Sequence, residues 1–233
     1  MSRVLVTRAR DDAERTAEKL RRLGHEPVIA PVSEIVATGA AIPSGPFDAV
    51  LATSARALRH AGAEIASLVG VPVFVVGEKT AAAARARGLN VEQSAEDVAA
   101  LIALLRERFA SPRRLLYLAG RDRKPALEDF LRAGGHDARV IETYRAQAAT
   151  ALPGDALAAL SRGEIDAVLH YSPRSAALFL DLTKERVEAS RITTLAHLAL
   201  SEDVARVLRA AGCRHVRAAA APDEQSLLET LAR

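Results

Sequence analysis

The sequence predicts an α/β protein made of two Rossmann-like or flavodoxin-like parallel-sheet domains that arose by internal duplication. Three observations predict it. Short β-branched runs alternate with Ala/Leu/Arg-rich stretches of helical period, the pattern of parallel βα units. The strand candidates are too many for one comfortable doubly wound sheet in 233 residues, so two sheets of about five strands fit better. Finally, three blocks of the chain recur in the same order, as a tandem duplication requires.

In chain order the strand candidates are RVLVTR from Arg3, PVIAPV from Pro27, DAVLAT from Asp48, VPVFVVG from Val71 and NVEQ from Asn90. They continue with RLLYLAG from Arg114, ARVIETY from Ala138, DAVLHY from Asp166, ITTLAHLAL from Ile192 and HVRAAAA from His215. The DAVL runs are apolar without alternation, as in strands covered on both faces. Helical spacing of Ala and Leu marks 11–23, 79–87, 97–109, 124–133, 173–182, 202–211 and 223–232. Ser54, Thr80, Ser172 and Ser201 stand where helix caps belong, and Pro173 suits a first helical position.

The recurring blocks fix the organisation. The segment 3–33 aligns without gaps on 114–144, a shift of 111, which places Arg10-Asp11 on Arg121-Asp122 and Gly24-His25 on Gly135-His136. DAVLATSAR at 48–56 returns as DAVLHYSPR at 166–174, a shift of 118, and GEKTAAAARARG from Gly77 returns as SEDVARVLRAAG from Ser201, a shift of 124. Two domain cuts are possible. A plain one divides the chain at about residue 110. The other treats VIAPVSEIVAT and VIETYRAQAAT as extended crossovers, followed by the linker-like loops AAIPSGPFD and ALPGD. It gives one domain from 1–31 plus 150–233, a second from 39–142, and linker strands at 32–38 and 143–149. The crossover cut is preferred.

Composition narrows the function. With 49% hydrophobic and 26% charged residues and a mean hydropathy of +0.06, the chain reads as a soluble globular protein. No apolar run approaches the roughly 18 residues of a membrane span, and the N-terminus enters a strand pattern without a signal core; a cytoplasmic location and no membrane partner are expected. The single cysteine, Cys213, reads as packing. A net charge of +3 and a pI near 9.3 are compatible with an anionic ligand. Aromatics at 3% and the absence of tryptophan argue against nucleic acid. The six histidines, His25, His60, His136, His170, His197 and His215, lack metal-ligand spacing and read as structural, so no metal is expected.

In open parallel sheets the chemistry sits at the carboxyl ends of the strands, where free helix N–H groups bind anions. Those turns, TRARDD, ATSARA, VGEKTA, AGRDRK, YSPRSA and ALSEDV, carry Arg8, Arg10, Arg56, Lys79, Arg121, Arg123, Lys124 and Arg174 beside the four hydroxyls. Two facing sheets would build one cleft suited to a ligand with several carboxylates or phosphates. Each hydroxyl also reads as a cap, and each arginine as a solvated turn charge; their shared location makes the joint case. Dinucleotide, Walker and GxSxG signatures are missing. What remains is a site rich in donors and poor in nucleophiles, which would position a reactive substrate.

VLVTRA, FDAVLATSARAL, VFVVGEKTAAAARARG, LLYLAGRDRKPALEDFLRAGG, RVIETYRA and IDAVLHYSPRSAALFL, in this order and spacing, resemble the uroporphyrinogen-III synthase family over essentially the whole chain. The resemblance implies two α/β domains joined by a two-stranded antiparallel linker, with the first βα unit in the C-terminal half and the substrate between the domains. It also implies a cyclising lyase of tetrapyrrole and heme biosynthesis. Its substrate is hydroxymethylbilane, a linear tetrapyrrole with eight carboxylates. Ring closure with loss of water and inversion of the last pyrrole needs no cofactor. The expected partner is that substrate, handed over by hydroxymethylbilane synthase, and the expected state is a monomer.

Carried over by position, Tyr144 becomes the catalytic candidate, a phenol able to hydrogen-bond or protonate the departing hydroxyl. As a strand-end tyrosine it would equally brace the linker. Arg8, Arg10, Ser54, Gly77, Lys79, Thr80, Arg121, Ser172, Arg174 and Ser201 become the substrate-binding candidates. The chain departs from the family where its C-terminal copy usually reads IGxTTA: LSEDVA puts Ser201 on the glycine and Asp203 and Val204 on the threonines. Two alternatives stay open, a two-lobed small-anion-binding or sensory module, whose plan also uses crossing hinge strands, and a catalytically decayed paralogue.

Overall fold

A computed structural model describes residues 1–232. Eleven strands form two sheets. The first comprises β1 (Arg3–Val6), β2 (Glu26–Ile29), β9 (Ala167–His170), β10 (Ala196–Ala199) and β11 (His215–Ala218), in the order β11-β10-β9-β1-β2. The second comprises β3 (Ser33–Ala37), β4 (Ala49–Ala52), β5 (Pro72–Val76), β6 (Asn90–Ala95), β7 (Arg114–Gly120) and β8 (Asp137–Ala148), in the order β3-β8-β7-β4-β5-β6. All pairs in the first sheet, and those from β6 to β8 in the second, are parallel.

The helices are α1 (Arg10–Arg22), α2 (Ala55–Arg59), α3 (Glu78–Arg85), α4 (Val98–Arg108), α5 (Ala126–Ala133), α6 (Gly154–Arg162), α7 (Pro173–Thr183), α8 (Ala189–Thr194), α9 (Glu202–Ala210) and α10 (Glu224–Glu229). The two DAVL runs behave as their composition demands. Every residue of β4 and of β9 is buried, because helices cover both faces of a parallel sheet.

Contacts divide the chain into two units, one of Met1–Glu34 with the chain from Gln147 onward, the other of Ile35–Ala146. The pairing exchanges the repeated strands. β1, from the first copy, pairs with β9 of the second, while β7, from the second copy, pairs with β4 of the first. The aspartates that open the DAVL runs lock this exchange. Asp166 Oδ2 accepts the Arg3 N–H at 2.7 Å, and the Asp166 N–H donates to the Arg3 carbonyl at 2.9 Å. Asp48 repeats the pair on Arg114, at 2.8 Å in both directions. His25 and His136 form a second matched device: their Nδ1 atoms accept the N–H groups of Ser2 and Arg113, at 3.3 and 3.1 Å, just ahead of β1 and β7. Structural work of this kind is what the sequence assigned to both histidines.

The cores follow from this arrangement. In the unit of residues 35–146, Val50, Ala52, Leu58, Val73, Val75, Leu116 and Leu118 fill one face of the sheet, and Leu51, Phe74, Leu101, Leu105 and Leu131 the other. In the other unit Leu5, Val168, Leu160 and Phe179 pack on one face and Val4, Val6, Leu20 and Leu169 on the opposite one. Cys213 is buried among Ala176, Val204 and Leu208, a packing residue whose thiol burial pushes up in pKa.

β3 lies beside β8, within the segments read as linker strands. Their hydrogen bonds, Thr38 N–H to Thr143 O and Ala149 N–H to Val32 O, run in opposite senses along the chain, as in an antiparallel pair. β8 extends without a break over twelve residues. The loop read in ALPGD ends at once, because Pro153 is an N-cap and Gly154 and Asp155 already belong to α6. Ile192–Thr194, expected in a strand, closes α8 instead. The last helix ends at Glu229 and tightens into a 3₁₀ turn.

Candidate functional site

In the unit of residues 35–146 the carboxyl ends of β4, β5 and β7 carry Ser54, Gly77 and Arg121 to one edge of the sheet, and Tyr144 of β8 lies opposite Gly120, the last residue of β7. Ser54 caps α2, its Oγ accepting the Arg56 N–H at 3.2 Å. The same oxygen accepts the Tyr144 phenol proton at 3.3 Å. Tyr144 is half-buried, packs on the core through its ring and lies 6.0 Å, centroid to centroid, from the His60 ring. Nearby, Thr53 and Tyr117 share a 2.9 Å hydrogen bond between hydroxyls, and burial raises the Tyr117 pKa.

Gly77 is the N-cap of α3 with φ +80°, a backbone that only glycine adopts without strain. Its carbonyl accepts the Thr80 and Ala81 N–H groups at 2.9 and 3.1 Å. Thr80 is therefore not a cap. It is the third residue of the helix, 4% exposed and facing the core, while Lys79 beside it is exposed.

Arg121 is occupied by a counter-ion. Its Nε donates to Glu142 Oε2 at 3.0 Å, and Arg123 Nη1 reaches Glu142 Oε1 at 2.9 Å. Arg123 also donates to Glu128 at 2.6 Å and to the Gly120 carbonyl at 2.8 Å. Arg123 first, and then Arg121, hold the Glu142 carboxyl below its ordinary pKa. Charge that the strand-end pattern offers to a ligand is thus partly spent inside the protein.

In the other unit the same edge carries Arg8, Arg10, Tyr171, Ser172, Arg174 and Ser201. Ser172 and Ser175 form a capping box: each hydroxyl pairs with the other residue's N–H, at 3.1 and 3.0 Å. Ser201 is the N-cap of α9, at the cap position read from the sequence, but its side chain makes no capping bond. Asp203 is exposed and pairs with Arg206 at 3.1 Å, Glu202 pairs with Arg209, and Val204 is buried in the core. Arg10 and Arg174 are exposed in the first turns of α1 and α7.

Arg8 is drawn inward. Its Nη1 donates to Glu224 Oε1 at 2.9 Å while its Cζ sits 4.2 Å above the centre of the Tyr171 ring. Glu224 also accepts from Thr16 at 2.5 Å, from Tyr171 at 3.2 Å and from Lys19. Burial raises the Glu224 pKa, but Lys19, Thr16 and Arg8 outweigh it and leave the carboxyl below its ordinary value. Burial pushes the Tyr171 phenol up to about 12.

Sequence reasoning missed Gly120, Glu142, Tyr171 and Glu224. Glu224 lies 216 residues from Arg8, so no local pattern joins them. Glu142 carries a findable signal, since it stands two residues before Tyr144 in the quoted crossover motif.

The family model described as uroporphyrinogen-III synthase HemD matches residues 14–229. Among solved structures, uroporphyrinogen-III synthetase from Helicobacter pylori is similar at 16% identity, with 100% of this chain and 99% of that chain covered and a TM-score of 0.64. A mutant uroporphyrinogen III synthase from Thermus thermophilus is similar at 19% identity, with 100% and 98% covered and a TM-score of 0.50. At such identities these likenesses show the fold alone. Comparison with curated proteins gives no match. The family model covers nearly the whole described chain, including both copies of the repeated turn, and on that ground the chain belongs to the uroporphyrinogen-III synthase family.

Proposed function

We propose that the chain closes hydroxymethylbilane into uroporphyrinogen III, with Tyr144 as the residue that acts on the leaving group. The observation that carries this reading is the placement of the phenol. It lies opposite Gly120, the last residue of β7, and hydrogen-bonds at 3.3 Å to the hydroxyl of Ser54, the cap of α2. In the first step the terminal hydroxyl departs as water, taking a proton from the phenol, while a pyrrole nitrogen lone pair supplies the electrons that expel it. The resulting azafulvene carbon is attacked by the substituted carbon of the last ring, giving a spiro intermediate. The bond from that carbon to its original bridging methylene breaks and reforms at the ring's other, unsubstituted α-carbon, which inverts the ring. Loss of the proton on that carbon restores aromaticity and returns a proton to the phenolate. The electrons come from the pyrroles, so the scheme uses no cofactor.

For the rest of the site we propose carboxylate binding. Ser54, Lys79 and the backbone around Gly77 serve one unit, and Arg10, Ser172 and Arg174 the other. Arg8 and Arg121 act through their glutamate partners, holding the edges of the site in shape. On the same reading the protein works as a cytoplasmic monomer supplied by hydroxymethylbilane synthase, because the free linear tetrapyrrole closes unaided to the symmetric isomer. Among the described residues no helix is long and apolar enough to cross a membrane.

The test is to generate hydroxymethylbilane in situ, add the purified chain, oxidise the products and separate the isomers by chromatography. Isomer III is expected; isomer I alone at every enzyme level refutes the activity. Tyr144→Phe should slow turnover by about 10²-fold, the scale of positioned proton transfer, and Ser54→Ala and Ser172→Ala by only a few-fold. Equal small losses in all three would remove the special role of the tyrosine.

A further inference from the structure

Tyr144 reaches its place through two features of the backbone around it. Ala119 lies opposite Glu142, but the next residue, Gly120, lies opposite Tyr144. β8 therefore carries one extra residue, Thr143, in a bulge at the end of the ladder, the kind of irregularity that re-aims a side chain. Thr143 is 1% exposed, and its hydroxyl faces the Ala57 carbonyl at 2.8 Å and the Ala119 carbonyl at 3.4 Å. The extra residue is pinned to α2 and β7. What it turns toward Gly120 is the phenol.

A Cβ on Gly120 would lie 2.7 Å from Tyr144 Oη and 2.8 Å from Cε2, and closer still to Cζ. The hydroxyl end of the ring thus occupies the space that any other residue at 120 would fill. The φ of Gly120 is not in the left-handed region, so backbone conformation does not call for glycine there; the ring does. The duplication supplies independent support. At the shift of 111 residues, Gly120 and Tyr144 of the second copy correspond to Ala9 and Ser33 of the first. The side chain is missing in the copy that carries the tyrosine and present in the copy that does not.

We infer that Gly120 is a positioning residue for the reaction, a seat that, with the Thr143 bulge, holds the Tyr144 phenol against Ser54. The inference rests on the catalytic role proposed for Tyr144, and its test separates the two. The chain has three tyrosines, Tyr117, Tyr144 and Tyr171. Labelling with 3-fluorotyrosine gives three fluorine resonances, and Tyr144→Phe identifies one of them. In Gly120→Ala the Tyr144 resonance should move while the other two hold. Over the same change kcat should fall about as far as in Tyr144→Phe, about 10²-fold, with KM within about twofold. The double variant Gly120→Ala/Tyr144→Phe should be no slower than Tyr144→Phe alone. Should Gly120→Ala fold poorly, Thr143→Val keeps the shape, removes the pin and should move the same resonance with the same split between kcat and KM. A Tyr144 resonance unmoved by either variant overturns the seat. A resonance that moves while kcat stays at the wild-type value leaves the seat in place but refutes the catalytic phenol, and with it the positioning role.

Discussion

Lowering the pH from 7.5 to 5.5 should weaken the unit formed by residues 1–34 and the chain from 147 onward, through a pair of histidines in its sheet. His170 and His197 are both 0% exposed. His197 Nε2 lies 2.9 Å from the Ile192 carbonyl, and His170 Nε2 lies 3.0 Å from His197 Nδ1. A carbonyl only accepts, so His197 Nε2 carries the hydrogen and its Nδ1 is bare. That nitrogen in turn accepts from His170 Nε2–H, leaving His170 Nδ1 bare, buried and without a hydrogen-bond partner. A further proton would sit either between the two rings or on a nitrogen facing no acceptor. Burial accordingly lowers both imidazoles below 6.5, with the neighbouring ring as a second cause for His170.

The sign of the effect follows. Folded pKa values below the unfolded one mean that the unfolded chain binds more protons, so stability is complete above pH 6.5 and falls as the pH drops below it. At pH 5.5 an unfolded imidazole gains about RT ln 11, roughly 1.4 kcal/mol, over one held neutral in the fold, so the pair costs at most about 3 kcal/mol of a typical 5–15 kcal/mol. Urea unfolding followed by circular dichroism at pH 7.5, 6.5 and 5.5 measures it, in the wild type and in His170→Met/His197→Met. The wild type should lose more than the variant over this range, by up to about 3 kcal/mol. Parallel losses would show that the pair does not couple protons to folding and would refute the tautomer argument.

Two further predictions test the duplicated framework. Asp48→Ala and Asp166→Ala should each lower stability by about 1 kcal/mol, and the Asn variants far less, because an amide oxygen still accepts the Arg114 or Arg3 N–H; urea midpoints decide, and equal losses for Ala and Asn would show that the hydrogen bond is not what the aspartates supply. Ser172→Ala should cost about 1 kcal/mol by breaking the capping box, whereas Ser201→Ala, with no side-chain cap to lose, should stay within a few tenths, as read by thermal unfolding.

The strands were legible where composition alone dictates burial. DAVLAT and DAVLHY are apolar at every central position, the pattern of a strand covered on both faces, and the strands they form are buried throughout. The α6 helix was hidden because Pro-Gly-Asp reads as a turn, although proline at an N-cap and aspartate in a first turn also open helices. Thr80 was misplaced by three residues of cap register, since the helix is capped at Gly77, with φ +80°, earlier than a hydroxyl would have capped it. At the site, the row of strand-end cations was readable from the turns, but its net charge was not. Glu142 and Glu224 reach Arg121 and Arg8 from neighbouring elements across the fold, and only tertiary structure reveals that pairing.

Comparison of the two copies separates what maintains the fold from what must break its symmetry. Positions that hold strands together are the same in both: Asp48 and Asp166 on the opening arginines, His25 and His136 on the residues before β1 and β7. Positions at the strand ends differ: Thr53 against Tyr171, Gly77 against Ser201, Ala9 and Ser33 against Gly120 and Tyr144. For the substrate proposed above, unguided closure already yields the symmetric isomer. Inverting one ring and not the others requires that the environments differ where the leaving group departs. On the role proposed for Tyr144, the divergence at Gly120 and Tyr144 would supply that difference on one copy only, by removing a side chain to admit a phenol, with the hydrogen bonds of the duplicated framework left intact.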